Sequence, residues 1–206
     1  MQRIVAGEFR GRKLLELPRD LDGVRPTSSR VRSAIFDRLQ LDVNDAMVLD
    51  LCAGTGALSI EALSRGAKHA TMVEGDPKVA AFLKKQLAAL RLGDRAQVVI
   101  KSATDFLATT SGDPPKWNLI VFDPPYHDRE LYEAAAAAMV KCQAIAEGAI
   151  VVCEHEKPKK GMRPLFWPRG LALDARREHG STWLDFLRVV RDRGPEPGAS
   201  SAATGV

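Results

Sequence analysis

Between Met47 and Cys153 five short apolar runs, Met47–Leu51, Ala70–Glu74, Ala96–Ile100, Asn118–Phe122 and Ala149–Cys153, alternate with longer stretches of helical spacing. Continuous apolar character in runs this short marks strands covered on both faces. Ala57–Arg65 carries Leu58, Ala62 and Leu63 at helical intervals and meets Gly66 where a C-terminal glycine belongs. Asp76 and Pro77 provide the cap and first position of a helix reaching about Leu92, with Gly93 closing it. Helices near Thr104–Ala108 and Glu130–Ala144 fill the remaining gaps. Repeated strand-helix units with right-handed crossovers predict an α/β fold with a doubly wound, mainly parallel, Rossmann-like sheet. Leu171–Glu178 and Thr182–Val190, joined through His179-Gly180-Ser181, predict an antiparallel hairpin closing one sheet edge.

Three segments follow from this rhythm. Residues 1–46 form an extension outside the alternation, residues 47–193 the main domain, and residues 194–206 a tail with nothing to bury, expected to be disordered. In the extension, Arg3–Leu17 reads as a small β-hairpin around Gly7 and Gly11. Ser29–Leu41 reads as a helix with Val31, Ala34, Ile35 and Leu39 inward and Arg30, Arg32 and Asp37 outward. Residues 1–39 hold nine Lys/Arg against five acids, while the other 167 residues carry 21 of each sign. All of the formal excess of +4 therefore sits in the first fifth of the 206-residue chain, a local basic patch suited to a polyanion.

Several classes are excluded. With 45% apolar residues and 3 Cys, the chain is neither disordered nor a disulfide scaffold. Cys52, Cys142 and Cys153 lack C-x-x-C spacing and read as small buried hydrophobes, and no histidine pair has metal-ligand spacing. The longest apolar runs, Ala134–Val140 and Ala149–Cys153, are too short to span a membrane. The start lacks a signal-peptide core, so a cytoplasmic location is expected.

In an open parallel sheet the ligand lies beyond the carboxyl ends of the strands. The first such loop is Asp50-Leu51-Cys52-Ala53-Gly54-Thr55-Gly56-Ala57, whose glycines let a ligand approach the main chain. Twenty residues past Gly54, Glu74 ends the next strand, placed to accept both hydroxyls of a ribose. An adenosine-containing cofactor follows. A dinucleotide fingerprint wants a third glycine where Ser59 stands, which counts against NAD or FAD. S-adenosylmethionine has no pyrophosphate, and its ammonium and carboxylate suit Asp50 and the main chain of Ala53–Gly56.

The deciding signal is Asp123-Pro124-Pro125-Tyr126, directly after a strand. Allowing Asp, Asn or Ser first and any aromatic or His last, it arises by chance in about one such chain in a hundred. Two prolines fix φ twice and hold Asp123 out of the helical region, so its carboxylate and the Pro124 carbonyl keep one orientation. Together they can accept both hydrogens of an exocyclic amino group while Tyr126 stacks on its ring. Such contacts favour a pyramidal nitrogen whose lone pair meets an incoming methyl, and alignment does most of the remaining work.

Arg3–Leu14, Arg25-Pro26-Thr27 with Arg30-Val31-Arg32, Asp50–Leu58 and Asp123–Tyr126 follow one another as in the RsmD family of bacterial 16S ribosomal RNA guanine-N2 methyltransferases, which the chain resembles over roughly residues 2–192. The resemblance implies a class I methyltransferase fold, S-adenosylmethionine, and a flipped guanine of small-subunit rRNA as acceptor, within an assembling 30S subunit. It places Asp50, Ala53, Gly54 and Gly56 at the methionine end, Glu74 at the ribose and Ala103 near the adenine. Asp123, Pro124, Pro125 and Tyr126 take the catalytic, acceptor-binding positions. Arg10, Arg12, Lys13, Arg25, Arg30 and Arg32 fall on rRNA phosphates. The residues alone leave adenine-N6 or cytosine-N4 methylation of DNA, glutamine methylation of a protein, a nicotinamide oxidoreductase and a non-catalytic RNA-binding module as competing readings. The absence of a DNA target-recognition insertion and the presence of the basic arm speak against the first two.

Overall fold

The apolar runs and the C-terminal hairpin become the strands β1 (Met47–Asp50), β2 (His69–Glu74), β3 (Ala96–Ile100), β4 (Trp117–Phe122), β5 (Ile145–Glu156), β6 (Leu171–His179) and β7 (Thr182–Val189) of the computed structural model. It describes residues 2–21, 24, 27–112, 116–126, 128–159 and 161–191. Arg25 and the tail from Gly194 lie outside these. The strands form one seven-stranded sheet in the order β3-β2-β1-β4-β5-β7-β6. Neighbours from β3 to β5 pair parallel, whereas β7 is antiparallel to both β5 and β6. The order reverses between β1 and β4, where a doubly wound sheet opens its ligand crevice.

Five helices, α1 (Ser29–Arg38), α2 (Ala57–Ser64), α3 (Pro77–Leu90), α4 (Ala103–Thr109) and α5 (Arg129–Lys141), cover the sheet among the described residues. Alternate strand residues enter opposite cores, as the unbroken apolar runs require. Val48, Met72 and Val121 join Ile35, Leu63 and Leu83 of α1, α2 and α3 on one face. Leu49, Val73 and Ile120 join Phe106, Tyr132 and Met139 of α4 and α5 on the other. No helix among the described residues is long and apolar enough to cross a membrane.

Helix starts obey local chemistry. Asp76 accepts the Lys78 and Val79 amides, Ser102 that of Asp105 and Asp128 that of Leu131. Helix ends depart from expectation. Arg91, at φ 58°, takes the left-handed closing position assigned to Gly93, because bonds from Arg91 to Ala88 and from Leu92 to Leu87 end the turn early and bury Leu92. Helix α1 stops at Arg38, since Asp42 and Val43 bond back to Leu39 and leave Leu41 90% exposed. Strand β5 begins at Ile145, ahead of the apolar run, through a register shift opposite Trp117/Leu119.

The expected N-terminal hairpin shrinks to one bridge, Arg3↔Lys13. Helix α2 takes the amides a ladder would have used: Val5 and Ala6 donate to Glu61 at 2.9 Å each, and Glu8 and Phe9 to Ser64. Arg32, expected to face outward toward RNA phosphates, is fully buried. Its guanidinium donates to the carbonyls of Thr27 and Arg3 at 2.7 Å each and lies 3.8 Å from the buried Glu61 carboxylate. Phe36, one turn further along α1 and also fully buried, shows that the inward face is rotated toward Arg32. Arg32 is therefore the peg that fastens the extension to α2. Removing Arg32 leaves the Thr27 and Arg3 carbonyls without their donor, while Glu61 keeps Arg65 at 2.9 Å. Arg32→Ala is expected to cost about 3 kcal/mol of unfolding free energy in urea, against less than about 0.5 kcal/mol for Arg30→Ala on the exposed first turn.

Candidate active site

The parallel register pairs Asp50 of β1 with Val121 of β4, so the residues that leave the sheet next, Cys52 and Asp123, emerge side by side. The glycine loop after β1 and the Asp-Pro-Pro-Tyr loop after β4 thus share one edge. Glu74 ends β2 on the other flank of β1, and Ala103 begins α4 just beyond β3. A cavity of about 560 Å³ lined by Met47, His69, Thr71 and Trp117 opens at the opposite, amino edge and holds none of these residues.

Asp50 is 1% exposed. One carboxylate oxygen accepts the Ser59 hydroxyl at 2.7 Å; the other, Oδ1, has no hydrogen-bond partner. Burial pushes its carboxyl up to about 7 against the bonds from Ser59 and the Cys52 amide, and Glu74 raises it further. Ser59, noted in the sequence only as a missing glycine, thus proves to orient this carboxylate. The Ala53 amide bonds the Val73 carbonyl, pinning the loop over β2, and Gly56 (φ 74°) starts α2 without a side-chain cap. A Cβ at Gly56 would fall 2.4 Å from Leu83 Cδ1, and one at Gly54 (φ 51°) 3.3 Å from Val24 Cγ1. Glu74 reaches back across the loop: its two oxygens accept the amides of Gly54 and Asp76 at 2.9 Å each. Ala103 is buried beside Val73 and Phe106.

The Asp-Pro-Pro-Tyr loop is held at Asp123, Pro124 and Tyr126. Thr27, from the N-terminal extension, donates its hydroxyl to Asp123 Oδ2 at 2.7 Å. The Thr27 carbonyl is in turn fixed by Arg32 and Gln2. Pro124 is buried and Pro125 exposed. The buried Tyr132 hydroxyl of α5 lies 2.9 Å from the Glu154 carbonyl and 3.2 Å from that of Pro124, donating between them. The half-buried Tyr126 donates its phenol to Glu154 and meets Thr182, with burial and Glu154 holding its pKa above the ordinary tyrosine value. Thr27 was read only as part of a motif carrying the resemblance, with no role assigned, and Tyr132 and Glu154 were not singled out in the sequence. Thr27 alone had a local signal, its place beside Arg25-Pro26; the other two act through partners distant in the chain.

The cations do not gather here. Arg10, Arg12 and Lys13 are exposed on a turn resting on Ser64, the last residue of α2. Glu8 of that turn pairs with Arg95, just before β3, so the cluster sits toward the amino edge of the sheet, away from Asp123. Arg30 is exposed at the start of α1, and Arg32 is buried as described above.

Residues 2–188 match the family described as conserved hypothetical protein 95. Ribosomal RNA small subunit methyltransferase D of Haemophilus influenzae is 37% identical over 166 residues, covering 80% of this chain and 84% of its own length. The protein of that name from Escherichia coli strain K12 is 42% identical over 154 residues, 75% of this chain and 74% of its own. Among solved structures, yhhF of Escherichia coli aligns with a TM-score of 0.79 at 34% identity over 91% of this chain and 97% of that one. An RNA methyltransferase from Salinibacter ruber, in complex with S-adenosyl-L-homocysteine, aligns at 0.61 and 14% identity over 84% of this chain and 97% of that one, a likeness in fold.

The Asp50 environment makes a prediction independent of any ligand. A folded value above the ordinary carboxyl range means that the protonated form favours folding. The contribution is present below about pH 4 and is lost as the pH rises through about 7. Asp50→Asn should therefore gain thermal stability over the wild-type chain by a margin that grows between about pH 4 and pH 7 and then levels off. Melting curves at about pH 5 and pH 8 measure it, and an equal margin at both would contradict the burial cost.

Proposed function

The chain belongs to the RsmD family and has the class I methyltransferase fold, and from that premise we propose that it methylates the exocyclic N2 of a flipped guanine in 16S ribosomal RNA. S-adenosylmethionine is the cofactor, and it supplies an electrophilic methyl group on a sulfonium. The observation that carries this proposal is the pairing of β1 with β4, which brings a carboxylate-and-carbonyl corner alongside a buried, partnerless carboxylate oxygen and a glycine cradle.

The residues present fit that cofactor. Asp50 Oδ1 lacks the donor that a methionine ammonium would provide, and the uncapped start of α2 with the main chain of Ala53, Gly54 and Gly56 suits the carboxylate. Glu74 retains lone pairs for ribose hydroxyls beyond those given to Gly54 and Asp76. Ala103 offers a small apolar surface to the adenine.

On the acceptor side, Asp123 and the Pro124 carbonyl take the two amino hydrogens of the guanine, drawing its nitrogen toward a pyramidal geometry. Thr27 sets the rotamer of Asp123, and Tyr132 sets the peptide plane of Pro124. Tyr126, anchored through its hydroxyl, presents its ring to the base. The proton, acidic only once the new N–C bond is forming, leaves toward the Asp123 carboxylate. Arg10, Arg12 and Lys13 contact rRNA phosphates away from the reacting base, and Arg30, three residues past Thr27, contacts them nearer to it. An assembling 30S subunit in the cytoplasm would present that surface.

Tritiated methyl transfer to 16S RNA, to small subunits and to duplex DNA, followed by nucleoside identification, tests this directly; N2-methylguanosine from RNA or subunits is expected and labelled DNA would refute it. Asp123→Ala should lower kcat by at least about a hundredfold while cofactor affinity stays within a few-fold. Thr27→Val should lower kcat about tenfold with KM nearly unchanged, and Thr27→Ser should restore it.

A further inference from the structure

Along the carboxyl edge the loops follow the strand order: Ala103 beyond β3, Glu74 at the end of β2, residues 50–56 after β1, residues 123–126 after β4, and then the loop after β5. In the proposed chemistry the first three serve the cofactor and the fourth the acceptor base. The fifth, Lys157–Arg169, has no role there, yet it contains five Lys/Arg and no Asp or Glu.

This loop is built from one buried half and one displayed half. Leu165 and Trp167 pack against the core, and the Trp167 indole donates to the buried Asp185 at 2.8 Å. Arg129, three residues past Tyr126, donates to the carbonyls of Arg163 and Pro164 at 2.7 and 2.8 Å and fastens the loop to the start of α5. These anchors leave Phe166 72% exposed, with the Arg163 guanidinium 5.9 Å from its ring centroid, and Met162 52% exposed beside them. Lys157 and Lys159 form exposed pairs with Glu178 and Glu156, which exchange readily for other anions. None of the ion pairs among the described residues involves Arg163 or Arg169.

An exposed aromatic ring backed by a guanidinium, on an acid-free basic loop, is the composition that binds unstacked nucleotides. A nucleic-acid strand whose target base enters the Asp123 corner must carry its neighbouring nucleotide past one side of that corner. The basic turn of Arg10, Arg12 and Lys13 lies toward the other edge of the sheet. We propose that the part of this loop fastened by Arg129 and Trp167 receives the nucleotide flanking the target guanine: Phe166 stacks on its base, and Arg163 contacts its phosphate. This rests on the rRNA-methylation function proposed above, and it assigns the flanking contact to this loop instead of the N-terminal arm.

The test uses the full chain loaded with S-adenosylhomocysteine, a fluorescent 20-nucleotide single-stranded RNA and intact 16S RNA. Phe166→Ala should weaken binding of the short RNA about tenfold. Arg163→Gln should reduce the slope of log K against log salt by about 0.7. Both variants should keep the wild-type melting temperature and cofactor affinity, and in turnover should raise KM for RNA with kcat within about twofold of wild type. Wild-type binding, salt slope and KM in both variants, beside a wild-type enzyme that methylates RNA, would overturn the loop assignment alone. Unchanged RNA affinity with impaired transfer to small subunits would make the loop a protein contact and also overturn it. A wild-type chain that neither binds nor methylates RNA would remove the function and the loop assignment together.

Discussion

The parallel pairing of β1 with β4 is the constraint from which the active edge follows. These adjacent strands are followed by helices that depart to opposite faces, α2 into the core shared with α1 and α3, and α5 into the core shared with α4. The departing chains diverge, and the space between them is bounded by main chain from the first loop and by the proline-stiffened second loop. Backbone bonds from Leu51 to Val121 and from Ala53 to Val73 carry the order of the sheet past its last ladder and fix that space. Two loops separated by about 70 residues of sequence thereby become one surface.

Charge at this surface is arranged in two zones. Asp50, Glu74, Asp123 and Asp128 act together on the intervening Cys52, whose thiol burial pushes up and whose acidic neighbours push it further. Such a centre is suited to a cation and costs stability without one, the exchange of stability for function that binding sites commonly make. It also repels a polyanion. The acid-free loop after β5 sits beside this centre, so attraction for phosphate at the rim can offset repulsion at the middle.

The N-terminal extension enters the same design through Thr27. Its carbonyl is held by Arg32, its hydroxyl holds Asp123, and Arg32 is itself locked by Arg3 and Glu61. Helical periodicity located α1 to within a few residues but assigned Arg32 to solvent, because Val31, Ala34, Ile35 and Leu39 were taken to define the buried face. Counting Phe36 would have turned that face toward Arg32; identifying Glu61 as its partner requires the packing of two helices. The hairpin expected over Arg3–Leu17 is shortened for a related reason: local alternation does not reveal that Glu61 and Ser64 will claim several of its amides.

Chemistry that acts within a few residues was decided by the sequence itself: which runs become strands, where Asp76 starts a helix, that two prolines stiffen the chain after Asp123, and that glycines stand at 54 and 56 where the backbone takes positive φ. Those terms depend on rotamers, dihedral restriction and apolar content, and they travel with the residues. Contacts between elements were decided only by the tertiary structure. It placed the Pro124 carbonyl against Tyr132, Asp50 against Ser59, the buried Arg32 against Glu61, and the basic turn of Arg10–Lys13 toward the edge away from Asp123. Each depends on which faces meet when two cores close around one sheet, and the free energy of that closure belongs to no single segment.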